Sequence, residues 1–269
     1  MAENAIGKES PMSGARKWIA AALLAAAAGG PPAALVADLA PEARASVPAG
    51  PPVFSDPRDF DNPFFPFEEG GARVFAGRSE GARVLTIDSF LEDTRDFDWG
   101  GGTVACAVLR EMEFEDGELV EISWNYFAEA DDGSVYYFGE VVDNYEDGAV
   151  VDNDGSWLVG SPSGSDPEGT DAVTDPALFM PGNPEVGDVF KPEDVPDGPE
   201  EEDTVARTGV KVKTAVGTLE GCIEVHEHDI PDDDYETKWY APGIGVVKGK
   251  AKGEAFALIA TTLSPAEAE

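Results

Sequence analysis

The chain has 269 residues, a formal net charge of -36 from 54 acidic and 18 basic residues, and 42% hydrophobic residues. The apolar fraction is large enough for a folded core and argues against a disordered polymer. The negative field repels phosphate groups, which argues against binding to nucleic acids or anionic membranes, and it attracts cations. Two interpretations of the acidity stay open: a solvated surface adapted to salt, or specific binding of a cation.

The N-terminal segment has the pattern of a secretory signal peptide. Basic residues ending at Lys17 precede an apolar run of eleven residues, Trp18–Ala28, which is too short to span a bilayer. Ala43–Ala45 offers a small-residue cleavage site, and Leu35–Ala37 offers an alternative. The sequence therefore predicts a signal peptide over residues 1–45, a protein exported to the cell envelope or beyond, and no membrane span after the signal is removed.

The only two cysteines are Cys106 and Cys222. Outside the cytoplasm, a single pair can form a disulfide. The alternative is two separate buried thiols that behave as small apolar residues. The sequence does not decide between them.

Residues 46–70 contain six prolines and are predicted to be an irregular linker. The aromatic run Asn62–Phe67 within it is too apolar to float freely, so we expect it to pack on the edge of the domain. Residues 71–263 are predicted to form a single β domain, and residues 264–269 a loose tail.

Alternation of period two is clearest between residues 120 and 126. Val120, Ile122, Trp124 and Tyr126 fall on one face of a strand, and Glu121, Ser123 and Asn125 fall on the other. Tight turns with an acid before glycine recur between the apolar runs, at Asp116-Gly117, Asp132-Gly133, Asp147-Gly148 and Asp154-Gly155. This pattern predicts an all-β fold built as a curved antiparallel meander, which is a half-barrel, a barrel or two packed sheets.

Residues 161–175 and 191–203 interrupt this pattern. They are rich in glycine, proline, serine and acid, and they are predicted to be long acidic surface loops. Between them, residues 177–181 form a short apolar segment that we expect to be buried.

Several blocks resemble a family of uncharacterised secreted bacterial proteins. The blocks are Asn62-Pro63-Phe64-Phe65-Pro66, Tyr137-Phe138-Gly139-Glu140, Gly217-Thr218 with Cys222, and Lys238-Trp239-Tyr240-Ala241-Pro242-Gly243 followed by Ile244-Gly245-Val246. The resemblance covers about residues 62–250 and implies export, but it brings no assigned activity.

The best metal-binding pattern lies near residue 226. On a strand, His226 and His228 share one face with Cys222 and Glu224, and a His-x-His pair can ligate Zn²⁺ or Cu²⁺. The following acidic run, Asp232, Asp233 and Asp234, offers oxygen ligands for Ca²⁺. The alternative is that both groups are solvated side chains at the end of a hairpin.

Aromatic side chains offer a second kind of site. Trp124, Tyr126, Tyr137, Trp239 and Tyr240 are predicted to line the concave face of the sheet, where they would hold a small apolar molecule. The alternative is an ordinary aromatic core.

No motif of a catalytic site accompanies these patterns. The sequence lacks a serine-hydrolase elbow and a nucleotide-binding loop, and 54 acids make accidental carboxylate pairs inevitable. We therefore expect a non-enzymatic module that binds a small molecule or a divalent cation. A structural protein with a salt-adapted surface is the first alternative, and a carboxylate-dependent hydrolase is the second.

Overall fold

The computed structural model describes residue 47, residues 50–196 and residues 198–266. These residues contain no helix, and their fifteen strands belong to one sheet, which confirms the predicted all-β class. No segment among them is a helix that could cross a membrane. The predicted signal peptide and the end of the predicted tail lie outside the described residues. The strands are β1 (Ala72–Ser79), β2 (Ala82–Trp99), β3 (Gly102–Glu115), β4 (Glu118–Glu129), β5 (Val135–Glu146), β6 (Ala149–Asp152), β7 (Trp157–Val159), β8 (Asp171–Val173), β9 (Ala177–Met180), β10 (Val189–Asp194), β11 (Glu200–Thr214), β12 (Gly217–Asp229), β13 (Asp234–Ala241), β14 (Gly245–Ala251) and β15 (Glu254–Thr261).

The sheet is a long curved meander. Its strand order is β10-β11-β12-β13-β14-β15-β1-β2-β3-β4-β5-β7-β8, with β6 and β9 paired to β5. All pairs are antiparallel except β7 with β8, and the pairing of β15 with β1 joins the two halves of the chain. The sheet curls until β10 packs against β9, but within the described residues its two end strands, β10 and β8, are not hydrogen-bonded to each other. The structure therefore confirms the predicted curved antiparallel meander, and the sheet is not closed on itself.

One end of the sheet carries a ring of acidic turns. Because successive strands are antiparallel, the β1–β2, β3–β4, β5–β6, β12–β13 and β14–β15 connections all turn at this end. Four acidic residues there have a positive φ of 49–53°: Glu80, Asp116, Asp147 and Asp233. Aspartate tolerates this left-handed conformation better than most side chains. We call these four residues the acidic rim.

The predicted linker is irregular, as expected, and it is anchored to the sheet. The Asn62 side chain donates to the carbonyl oxygens of Gly133 at 2.8 Å and Pro181 at 3.0 Å. Phe65 is buried, with its ring centroid 4.6 Å from that of Phe127 and 5.1 Å from that of Phe179. The aromatic run therefore belongs to the core and is more than a contact at the edge.

Gly139 allows β7 to approach β5. Its φ is 114°, and a Cβ at this position would lie 2.2 Å from the carbonyl oxygen of Trp157. Any other residue would push the two strands apart. Close packing of β7 against β5 thus explains why the Tyr-Phe-Gly-Glu block contains a glycine.

The prediction that residues 191–203 form a surface loop is wrong. This segment contains the end of β10 and the start of β11, and it buries the side chains of Glu193, Glu201 and Asp203. The other predicted loop, residues 161–175, is irregular except for the short strand β8. The apolar segment between them forms the buried strand β9, as predicted.

Candidate cation site

The inner face of the curved sheet carries charged residues where apolar ones are usual. On β4 the predicted alternation is present, but the polar set, Glu121, Ser123 and Asn125, is the buried one. Ile122 and Trp124, on the other face, are partly exposed. Buried carboxyls are rare in proteins unless a partner neutralises them, so this interior calls for a chemical explanation.

The inner carboxyls gather at the end of the sheet that carries the acidic rim. Glu113 on β3 lies opposite Glu121 on β4, and Glu227 on β12 lies opposite Glu236 on β13. Each of these residues, like Glu254 at the start of β15, lies within four residues of a turn at that end. The sheet therefore encloses an acidic region at one end.

Strands β11, β12 and β13 bring five inner carboxyls together, two of them the Glu227 and Glu236 already described. Glu201 pairs with Asp229, Asp203 pairs with Glu227, and Glu227 pairs with Glu236 on its other side. Directly opposite residues on one face of a sheet have their Cβ atoms about 4.5–5.5 Å apart. We call these five residues the carboxylate array.

Three members of the array have the spacing of a metal site. Ligand oxygens of Glu201, Asp203 and Glu227 all lie within 4.8 Å of one another, and no other acidic, cysteine or histidine group among the described residues is this compact. All three side chains are at most 3% exposed. We call these three residues the triad.

Two oxygens of the triad lack the partner that a buried polar atom needs. Within the described part of the chain, Glu201 Oε2 and Asp203 Oδ1 have no nitrogen donor. The side-chain hydrogen bonds of these carboxyls are with other members of the triad, Glu201 with Glu227 and Asp203 with Glu201. Leaving a buried polar atom unsatisfied costs about 1–3 kcal/mol, and more for a charged group. The triad therefore has binding capacity that its own neighbours do not use.

Lys238 supplies a positive charge to the array. It lies on β13, is 3% exposed, forms an ion pair with Glu227, and has its Nζ 3.9 Å from Glu236 Oε2. Burial opposes the charged ammonium, but Glu227, Glu201 and Glu236 outweigh it and raise the pKa of Lys238 well above its usual value. One ammonium thus faces an array of five carboxyls.

The remaining carboxyls hold protons more tightly than exposed acids do. Burial, reinforced by the charge of Glu227, raises the pKa of both Glu201 and Asp203 well above the usual range. Burial, partly offset by Lys238, raises the pKa of Glu236 to about 8, and burial raises that of Asp229 to about 6. A bound cation would therefore displace protons from the array at neutral pH.

The donor set selects the class of cation. Carboxylate oxygens are hard ligands that suit Ca²⁺, Mg²⁺ and Mn²⁺, whereas Zn²⁺ and Cu²⁺ favour nitrogen and sulfur. Ca²⁺ bonds oxygen at 2.3–2.6 Å, so two ligands on opposite sides of the ion are about 4.6–5.2 Å apart. The triad oxygens all lie within 4.8 Å of one another, so one ion can contact all three. A buried set of three carboxylates suits Ca²⁺ better than Mg²⁺, which usually keeps several waters and binds one or two carboxylates.

A second group of buried acids surrounds Arg73. Arg73 Nε donates to Asp88 Oδ2 at 2.8 Å, and Glu111 lies opposite Asp88 on the neighbouring strand. Burial, together with the charges of Asp88, Glu121 and other acids, raises the pKa of Glu111 well above its usual value. These groups lack the close spacing of the triad, so we assign them a structural role.

The predicted metal ligands lie outside this region. His226 and His228 share one face of β12, as predicted, but it is the outer face, where they contact Glu224 at 3.3 Å and Asp233 at 3.1 Å respectively. Asp232 and Asp233 lie in the β12–β13 connection, and Asp234 begins β13, where it pairs with Asp229 of the array. The structure therefore places the acidic run beside Asp229 of the array and both histidines on the opposite face of β12 from the triad.

The predicted aromatic lining is not a single surface. Tyr137 and Tyr240 are buried on the inner face, where burial and the charges of inner carboxyls raise the pKa of both hydroxyl groups. Trp124, Tyr126 and Trp239 lie on the outer face, where Trp239 Nε1 donates to Glu224 at 2.8 Å and Tyr126 packs under Arg95. A groove of about 620 Å³ near β8–β10 is lined by none of these five residues.

Of the two alternatives for the cysteines, the structure shows separate thiols and no disulfide. Cys106 lies on β3 and Cys222 on β12, which are not neighbouring strands, and both are buried free thiols. The alternative of two separate apolar-like cysteines describes the structure.

The acidic composition of the chain favours solvated side chains and so does not by itself reveal the array. Glu227 follows Ile223 and Val225 in the same phase of the alternation, and Asp203 and Glu201 precede Val205 in the same way. An acid in phase with buried apolar residues is the signal that could have identified them.

Comparison with known proteins identifies no relative. The sequence matches no family model, and it matches neither a curated protein nor a solved structure. Function must therefore be argued from the carboxylate array itself.

Proposed function

We propose that this chain is an exported, non-enzymatic module that binds a hard divalent cation, with Ca²⁺ the best match, at Glu201, Asp203 and Glu227. The observation that carries the proposal is the compact, buried triad with two unsatisfied oxygens. The net charge of -36 supports it, because such a field concentrates cations near the protein.

Export fits a calcium site of this kind. Extracellular modules use sites with dissociation constants of about 10⁻⁴–10⁻³ M. The triad, with three carboxylates and the competing charge of Lys238, suits this range better than that of a high-affinity cytosolic buffer. The basic and apolar segment up to Ala28 supports export, as does the resemblance to secreted bacterial proteins.

The two alternatives lead to different behaviour. A structural protein with a salt-adapted surface would respond to NaCl but show no saturable response to Ca²⁺. A carboxylate-dependent hydrolase needs two acids facing a substrate cleft, and the carboxyls of the triad are at most 3% exposed. The buried position favours binding of a small ion over access by a substrate.

Calorimetric titration tests the proposal. The full chain, stripped with EDTA, is titrated with CaCl₂, MgCl₂ and ZnCl₂ at 0.15 M NaCl, and thermal unfolding is followed in parallel. We expect saturable binding of Ca²⁺ that is tighter than that of Mg²⁺, with a rise in the unfolding midpoint.

Two neighbouring substitutions on β11 provide a matched comparison. Glu201→Gln removes an inner carboxylate of the triad, whereas Glu202→Gln makes the same change on the outer face of the strand. We expect E201Q to weaken Ca²⁺ binding at least about tenfold, since affinity follows the number of charged ligands, and E202Q to leave it within about twofold. Equal effects of the two variants, or no saturable binding by the wild type, would refute the proposal.

A further inference from the structure

Lys238 is the one basic side chain within the carboxylate array, among the described residues. It is buried to the same degree as the triad and forms an ion pair with Glu227, which is itself a triad member. The ammonium therefore already occupies part of the coordination that Glu227 would offer a metal. This competition has a consequence for which cation binds.

Lys238 changes the net charge of the carboxylate cluster that a cation would enter. Glu201, Asp203, Glu227 and Glu236 interact electrostatically with Lys238. Once a bound cation has displaced the protons of the cluster, its four carboxylates and one ammonium carry a net charge of -3. Without Lys238 the same cluster would carry -4, and it would attract ions of higher valence more strongly.

We propose that Lys238 is the specificity-determining residue of the site, a tethered counter-cation that competes for Glu227 and lowers affinity for cations in proportion to their charge. The inference rests on the proposed binding function and adds selectivity to it. The ammonium repels a bound ion by an energy proportional to the charge of that ion. Its removal must therefore favour a trivalent ion more than a divalent one.

Coulomb's law makes the comparison quantitative. If removing Lys238 strengthens Ca²⁺ binding about tenfold, the same repulsion acting on a trivalent ion changes its affinity by the 3/2 power, which is about thirtyfold. We therefore expect Lys238→Met to tighten Ca²⁺ binding at least about tenfold and Tb³⁺ binding by about three times that factor. Methionine retains the length and apolar character of the buried stem.

Two further variants control for charge and for folding. Lys248→Met removes a positive charge from the outer face of β14, where the lysine lies over the Trp239 ring, and we expect it to change neither affinity. The double variant K238M/E236Q removes one charge of each sign from the cluster, which restores the wild-type balance. We expect it to return the ratio of Tb³⁺ to Ca²⁺ affinity to near the wild-type value.

The experiment is a titration of all four proteins with CaCl₂ and TbCl₃ at pH 7.5, with circular dichroism to verify folding in the cation-loaded state. A K238M variant that binds Ca²⁺ and Tb³⁺ no more tightly than the wild type overturns the inference and leaves the proposed function intact. Binding by K238M in the absence of binding by the wild type overturns the proposed function and supports Lys238 as the counter-cation. Absence of binding in both proteins overturns both.

Discussion

Arg73 illustrates how this protein keeps charge inside its sheet. The guanidinium is 2% exposed, donates from Nε to Asp88 and from Nη1 to the carbonyl oxygen of Ile244 at 3.2 Å, and lies over the Phe90 ring. A buried pair of this kind stabilises little relative to an apolar replacement of both partners. Removal of one partner, however, leaves an uncompensated buried charge.

Replacement of Arg73 by methionine should therefore reduce the free energy of unfolding by about 3–5 kcal/mol. The loss should be larger at pH 8 than at pH 5, because Asp88 can take up a proton at the lower pH. Arg83→Met is the matched control: Arg83 pairs with Asp116 at 3.1 Å, but both side chains are more than 60% exposed, so little change is expected. Urea unfolding at both pH values measures the difference, and equal losses for the two variants would contradict the argument.

At the scale of the element, the β12–β13 hairpin links the surface to the array. Asp229, the last residue of β12, accepts a hydrogen bond at 3.3 Å from the backbone of Asp232 in the connection. The exposed acids of this connection, Asp232 and Asp233, and the partly buried Asp234 at the start of β13 lie next to Asp229 of the carboxylate array. Acidic groups at the mouth of a site raise the local concentration of cations and accelerate their association.

A triple change of Asp232, Asp233 and Asp234 to asparagine should therefore slow cation association several-fold at low salt. The effect should disappear near 1 M NaCl, where the screening length is about 3 Å. Saturable binding should persist, because the triad is unchanged. Stopped-flow mixing with Tb³⁺ measures the rates, and complete loss of binding would show instead that the hairpin acids are the ligands.

At the scale of the molecule, the buried carboxyls couple folding to pH. The folded protein holds protons that the unfolded chain releases: the pKa of Glu236 is about 8 against a usual 4.5, and that of Asp229 is about 6 against 3.8. Glu236 interacts with the array carboxyls Glu227 and Asp203, with the ammonium of Lys238 and, from β15, with the carboxyl of Glu254. Because the folded form binds more protons, its stability falls as the pH rises through this interval.

We therefore expect the cation-free protein to lose stability between about pH 5 and pH 8. Glu236→Gln should flatten this decline. Saturating Ca²⁺ should reverse it, since the ion binds the deprotonated carboxylates and its affinity rises as they lose protons. Thermal unfolding over this pH range, with and without Ca²⁺, provides the measurement, and a pH-independent midpoint would exclude the coupling.

The sequence by itself determined the local structure of this protein. The alternation at Val120–Tyr126 and the acid-glycine turns predict antiparallel strands, and the structure confirms them, because side-chain direction and turn conformation depend on neighbouring residues. The net charge indicates that the protein attracts cations, but it is a property of the whole chain and does not identify the residues of a binding site.

Only the tertiary structure decided which face of each strand is inside. Proline and acidic residues make the segment of Glu201 and Asp203 resemble a surface loop, which obscures the alternation of these two acids with Val205. They become a candidate site because β11 pairs with β12, which places Glu227 beside them, and because the curved sheet closes over all three. The alternation with Val205 indicates only that Glu201 and Asp203 share a face with an apolar residue. Cross-strand proximity to Glu227 arises between residues far apart in the chain, so local pattern carries no signal of it.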